Sequence, residues 1–186
     1  APTHGERRFR APRPPEPWDG ERDASHFAHP AMQGTYGWND RVKGTEDCLV
    51  LDIVRPDTDD ELPVVVYMHG GTFLTGSSHE KVLQGHRFAQ ATGIVYVSIN
   101  FRLGVLGYLD LRSLGPDCVG NPGTMDQILA LEWVQDNIAA FGGDPDRVTI
   151  MGESAGAASV TTLMSSPVAR GLFGGGRGLG DSAVEQ

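Results

Sequence analysis

Apolar residues in this chain fall into short runs separated by turn formers, and the runs alternate between two periods. The first strand is predicted over 48–54 (Cys-Leu-Val-Leu-Asp-Ile-Val), ended by Pro56 and the acidic turn at 57–61. A second strand is predicted over 63–68, where Val64, Val65, Val66 and Tyr67 form a near-continuous apolar run that suits a strand covered on both faces. A Gly-rich loop over 69–78 leads to a helix over 80–92, stopped by Gly93, and then to a third strand over 94–99. The clearest helix lies over 124–141. Thr124 stands as N-cap, with Gln127 at capping-box spacing and Asp126 near the positive helix end. Met125, Ile128, Leu129, Leu131, Val134 and Ile138 supply its apolar stripe, and Gly142 its C-terminal stop. A strand over 147–151 passes through Gly-Glu-Ser-Ala-Gly into a small-residue helix reaching about Ser165, before Pro167. Alternating strands and helices imply an α/β chain with a mostly parallel sheet and helices on both faces.

Two regions depart from this rhythm. Residues 1–47 are rich in Pro, Arg and Gly and read as irregular structure lying over the core. Six of the ten residues over 171–180 are glycine, which reads as a Gly-rich flexible tail over 174–186. The chain has 186 residues, which is room for one domain, and an apolar share of 39%, enough to bury a core. Its 25 glycines and 12 prolines make up about a fifth of the chain, below the ~25–30% of low-complexity disorder.

The net charge of −9 argues against a nucleic-acid partner, because each phosphate contact needs a cation. The richest basic run, Arg7, Arg8, Arg10 and Arg13, reads as a solvated or ion-paired edge. No run reaches the roughly twenty apolar residues of a membrane span, and no signal-peptide pattern opens the chain. Two cysteines, Cys48 and Cys118, are too few for a disulfide framework or a Cys-rich zinc site. They read as free thiols, which leans towards a reducing, cytoplasmic compartment.

The strongest chemical signal is Gly152-Glu153-Ser154-Ala155-Gly156 between a strand and a helix. A serine on a tight strand-to-helix turn has its hydroxyl thrust clear of the sheet. Gly152 and Gly156 leave the room that side chains would fill, and the helix that follows points free amides and a positive dipole end at the same spot. Ala155 then offers a backbone donor to a developing oxyanion. A second signal, His69-Gly70-Gly71-Thr72-Phe73, follows directly on the strand over 63–68. Loops at that place bring further backbone donors to the same oxyanion.

With these residues the sequence resembles the type B carboxylesterases, a family that includes cholinesterases and bacterial para-nitrobenzyl esterases. Further stretches carry the likeness in the same order: Arg8-Phe9-Arg10-Ala11-Pro12, Glu46-Asp47-Cys48-Leu49, Asn100-Phe101-Arg102-Leu103-Gly104, Gly120-Asn121-Pro122-Gly123, Asp126-Gln127 and Phe141-Gly142-Gly143-Asp144-Pro145. The resemblance covers residues 1–173 and implies the N-terminal part of an α/β-hydrolase fold, incomplete, acting on a small-molecule carboxylic ester without metal or organic cofactor. It implies Ser154 as nucleophile, with the amides of Gly71, Thr72 and Ala155 as oxyanion hole. Gly70, Gly152, Glu153 and Gly156 would shape the site, and Arg8 with Glu46 would form a structural ion pair.

Three departures from the family pattern matter. The family's cysteine that bridges to the Cys48 position is replaced by the stretch His29-Pro30-Ala31-Met32-Gln33, so that disulfide is not expected. The likeness opens in mid-pattern at Ala1, so an N-terminal strand of the family is expected to be missing. After Phe173 the family continues into another strand, whereas this sequence turns to Gly174-Gly175-Gly176-Arg177. In the family the triad acid and histidine both follow the serine. Here all six histidines (His4, His26, His29, His69, His79 and His86) precede Ser154, and only Asp181 and Glu185 are acidic after it. The expectation is therefore a fragment that lacks its general base, with His69 matching the family's loop histidine rather than that base. The alternatives are a catalytically inactive truncated product and a non-catalytic hydrolase-like binding domain.

Overall fold

The structure is a computed structural model that describes residues 2–35 and 41–180. Asp181 and Glu185 lie outside the described residues. Two short strands, β1 (Gln33–Gly34) and β2 (Val42–Lys43), pair antiparallel above the main body. The main elements follow: β3 (Leu51–Val54), β4 (Leu62–Met68), α1 (His86–Thr92), β5 (Val95–Ile99), α2 (Gly104–Tyr108), α3 (Pro122–Asn137), β6 (Gly143–Glu153), α4 (Ala155–Ser165) and β7 (Gly175–Leu179). The large sheet has the order β3-β5-β4-β6-β7. Only β3 runs antiparallel; β5, β4, β6 and β7 are parallel.

Side-chain alternation explains why the sheet is covered on both faces. Along β4, Val64, Val66 and Met68 are fully buried on one face. They join Val97, Ile99, Leu131, Val134, Ile138, Ile150, Val160 and Leu163, so α3 and α4 share this core with the sheet. Tyr67 points the other way and meets Tyr96 and Ala89 of α1 in a smaller cluster. Every residue of β5 is buried, as the apolar run over 94–99 requires. Among the described residues no helix is long and apolar enough to cross a membrane.

Several sequence expectations are revised. The helix expected over 80–92 begins only at His86, because Gly85 adopts a left-handed φ of 74° and lies against the Tyr96 ring. The first strand begins at Leu51 rather than Cys48, since the Val50 N–H turns back to the Cys48 carbonyl. Thr124 is not the N-cap of α3. That place falls to Asn121 (φ 52°), and Pro122 opens the helix. Gln127 is buried and donates to Ser159 Oγ (2.9 Å) on α4 rather than closing a capping box.

Asp126 does not serve the helix dipole. It accepts from the backbone N–H, Nε and Nη2 of Arg102, and both side chains are buried. Of the flexible tail expected over 174–186, Gly175–Leu179 forms β7, and residues 181–186 lie outside the described residues. Main-chain bonding to β6 needs no side chains, so a glycine run can still supply a strand.

The basic run at the start is ion-paired in part: Arg8 holds Glu46, and Arg10 lies 3.2 Å from Asp117. Both cysteines are free thiols. Burial pushes the Cys48 thiol up to about 12, and the buried Ala31 lines the same small cavity, of about 10 Å³.

Candidate active site

The corner between β6 and α4 is set by one strained residue. Ser154 has φ 53° and ψ −118°, between the last residue of β6 and the first of α4. A non-glycine residue there costs on the order of 1–3 kcal/mol and persists only where its surroundings enforce it. The surroundings do so. A Cβ on Gly152 would lie 2.4 Å from the Gly156 carbonyl, and one on Gly156 would lie 2.0 Å from the Met68 oxygen. The turn thus closes on itself and seats against the end of β4. Ser154 is exposed, its N–H donates to the Leu179 carbonyl of β7 (2.8 Å), and its own carbonyl accepts from Ala158 (3.1 Å).

The loop after β4 meets this corner. A Cβ on Gly70 would lie 2.5 Å from Glu153 Oε2 and 3.3 Å from Ser154 Cβ, so the loop backbone lies directly against the serine. Gly71, Thr72 and Phe73 follow with φ of 109°, 55° and 60°. Among the described residues five non-glycines have positive φ, and Thr72, Phe73 and Ser154 are three of them. Strain is concentrated at this corner.

The direction of the peptide dipoles can be read from the carbonyls. In a trans peptide the C=O and N–H point to opposite sides. The Gly70 carbonyl faces His69 Nδ1 (2.8 Å), so the Gly71 N–H faces away from that ring. The Gly71 carbonyl accepts from Leu74 (2.9 Å), Thr75 (3.0 Å) and Thr72 Oγ1 (2.7 Å), so the Thr72 N–H leaves the loop on its other side. The Ser154 carbonyl points down α4, and the Ala155 N–H is one of the first amides of the helix, without an intrahelical acceptor.

His69 supports the loop from beneath. Its ring is buried and stacks on Phe101 (4.5 Å between centroids, 7° between planes). Burial pushes its pKa down to about 4, so the ring is neutral near pH 7 and Nδ1–H is the donor to the Gly70 carbonyl. Nε2 is buried and meets no partner among the described residues. His79 stacks on Phe27. Among the described residues no histidine is hydrogen-bonded to Ser154.

Other supports escaped sequence reading. The Phe73 ring packs on Tyr108 (4.6 Å), and the Gly104 N–H donates to the Phe73 carbonyl (2.7 Å), so α2 buttresses the loop. Five residues of α2, two of them glycine, carry no helical stripe that periodicity could detect. Gln33, isolated in a Pro- and Gly-rich stretch, also reaches this loop.

The sequence profile of the carboxylesterase family matches residues 1–176, and so runs into β7. The chain is 41% identical over 177 residues to the para-nitrobenzyl esterase of Bacillus subtilis (strain 168), covering 92% of this chain and 36% of that protein. It is 46% identical over 184 residues to the acetylcholinesterase of Gallus gallus, covering 92% of this chain and 24% of that protein. A solved carboxylesterase of Geobacillus stearothermophilus superposes with a TM-score of 0.88 at 45% identity, over 96% of this chain and 37% of that one. A solved PNB esterase superposes with a TM-score of 0.88 at 41% identity, over 95% and 37%. The chain thus spans about a quarter to two-fifths of the length of these relatives. Profile, identity and superposition agree: the chain belongs to the carboxylesterase family, and its sheet and helices are part of an α/β-hydrolase fold.

Proposed function

We propose that this chain carries the nucleophile-bearing part of a serine carboxylesterase and that Ser154 is the attacking residue. The observation that carries the reading is the strained, exposed Ser154 at the head of α4, in contact with Gly70 of the loop after β4. Its Oγ attacks the carbonyl carbon of a small-molecule carboxylic ester. The amides of Gly71, Thr72 and Ala155 stabilise the oxyanion, with Gly70, Gly152 and Gly156 keeping the backbone close and Glu153 lining the base of the site. A base takes the serine proton and returns it to the departing alcohol. Water then attacks the acyl-serine and releases the acid. The names of the relatives support an ester as substrate: para-nitrobenzyl esterase, acetylcholinesterase and juvenile hormone esterase.

The base is assigned to residues outside this chain. His69 is neutral, buried and committed to the Gly70 carbonyl, which leaves it a scaffold. In a serine protease, loss of the triad histidine lowers kcat about 10⁶-fold, while oxyanion hole and binding together retain roughly 10³–10⁴ over water. The chain alone is therefore a very weak esterase.

The test is labelling with a fluorophosphonate probe. Slow labelling of the wild-type chain, lost in Ser154→Ala, is the expected result; equal labelling of both removes the assignment. Turnover of para-nitrophenyl acetate is expected to stay near background, and robust turnover would show that a base within the chain serves Ser154.

A further inference from the structure

We propose that Gln33 is a positioning residue for the candidate oxyanion loop: its carboxamide clamps Gly76 and thereby holds the 70–72 backbone against Ser154. The inference rests on the reading of Ser154 as nucleophile and adds to it a residue remote in sequence and outside the elbow.

Gln33 lies in β1 with 4% of its surface exposed. Its Oε1 accepts from the Gly76 N–H (2.9 Å), while Nε2 donates to the Gly76 carbonyl (2.9 Å) and to the Ala31 carbonyl (2.9 Å). A primary amide has one carbonyl and two N–H bonds, so its donors and its oxygen are all engaged. The side chain imitates a paired strand, and Gly76 is bonded as a ladder residue would be.

Gly76 in turn touches the site. Its φ is 114°, and a Cβ there would lie 2.3 Å from His69 Nδ1 and 2.6 Å from the Gly70 oxygen. The backbone held by Gln33 is therefore pressed on the His69–Gly70 hydrogen bond, and Gly70 is the residue against Ser154. The chain of contact runs Gln33, Gly76, His69 with Gly70, Ser154. The far end of the clamp is fixed as well: Ala31 bridges Thr45, the Met32 N–H donates to the Thr45 carbonyl (3.0 Å), and the Thr45 N–H donates to that of Pro30 (3.0 Å). Without the carboxamide, the buried amide of Gly76 and the carbonyls of Gly76 and Ala31 lose a partner that the sheet does not supply.

Two variants of the 186-residue chain test this by peptide-resolved hydrogen exchange and by the rate of fluorophosphonate labelling. Gln33→Met removes every bond. Exchange over 70–76 is expected to rise at least ~tenfold while β4 and β5 stay within about twofold, and labelling of Ser154 to fall at least ~tenfold. Gln33→Glu keeps an acceptor for the Gly76 N–H at any pH, but offers a donor to the Gly76 or Ala31 carbonyl, one O–H in place of two N–H bonds, only when protonated; ionised, it sets a negative charge against both carbonyls. Its labelling deficit, taken against wild type at the same pH, is expected to shrink as pH falls from about 8 to about 5.

Unchanged loop exchange and labelling in Gln33→Met overturn the proposal. Should that variant lose protection throughout β4 and β5, the Gln33→Glu series decides, and a deficit independent of pH overturns it. Should wild type and Ser154→Ala label alike, the nucleophile reading fails, and loop exchange alone decides whether Gln33 holds the loop.

Discussion

Two glycine-bearing stretches of this chain, 69–78 with three glycines and 171–180 with six, differ in what their glycines do. In the first, the surroundings demand glycine: Gly71 has φ 109°, and a Cβ there would lie 2.2 Å from the Thr75 carbonyl. In the second, Gly175 opens β7 with nothing within 4 Å of a would-be Cβ. There the backbone is held by main-chain pairing to β6, and only the next glycines meet α4, where a Cβ on Gly176 would lie 2.7 Å from Met164 Sδ and one on Gly178 3.1 Å from Ala157 Cβ. The same residue type is forced by backbone collisions at the candidate site, whereas at Gly175 it stands in open space and around Gly176 and Gly178 it meets side chains of α4. Glycine content does not say which of these positions require glycine; the neighbours do.

The comparison breaks most visibly at Gly71. Gly71→Ala adds a backbone collision to an unfavourable φ, and a loss of about 3 kcal/mol or more is expected from the urea unfolding midpoint. A loss below about 0.5 kcal/mol would mean that the loop relaxes freely, and the contrast with β7 would disappear.

The ring beneath the first stretch sharpens it next. The unfolded chain's imidazole takes up a proton below about pH 6.5. His69 in the folded chain does so only below about 4. Stability from this group is therefore complete above the unfolded value and falls as pH is lowered through that window, by up to about 3 kcal/mol. Unfolding of wild type and His69→Gln at pH 7.5, 5.5 and 4.5 measures this difference; equal pH slopes would show that the ring is not shielded as its burial implies.

The smallest effect belongs to β7. Gly175→Val places a β-branched side chain where space is open, and a gain of about 0.5–1 kcal/mol is expected. A clear destabilisation would show that position 175, like the loop, has no room.

Much of the fold was legible because strands and helices leave local patterns. The apolar run over 63–68 became the central strand β4, and the stripe over 124–141 became α3 as far as Asn137, with Ile138–Phe141 tightening into a 3-10 turn. The misreadings share a cause. Thr124 satisfied a local capping rule, but Asn121 reached the αL conformation first and Pro122 began the helix there. Asp126 fitted a dipole rule, but Arg102, distant in sequence, claimed the carboxylate. The start of α1 was fixed by the Tyr96 ring against Gly85, a contact no local pattern encodes. At the candidate site the elbow was readable because its two glycines must stand two residues either side of the serine. Gln33 was not, because its meaning lies 43 residues away at Gly76.

The sequence alone determined the α/β alternation, the tight turn at Ser154 and the absence of a matching histidine after it, since spacing and residue size act within a few positions. Only the tertiary structure decided that Gly70 touches Ser154, that His69 is a buried prop, that Asp126 pairs with Arg102 and that a glycine run becomes β7. Those outcomes depend on which main-chain groups and side chains meet when distant segments close over one core, and on the cost of leaving a buried polar group unpaired.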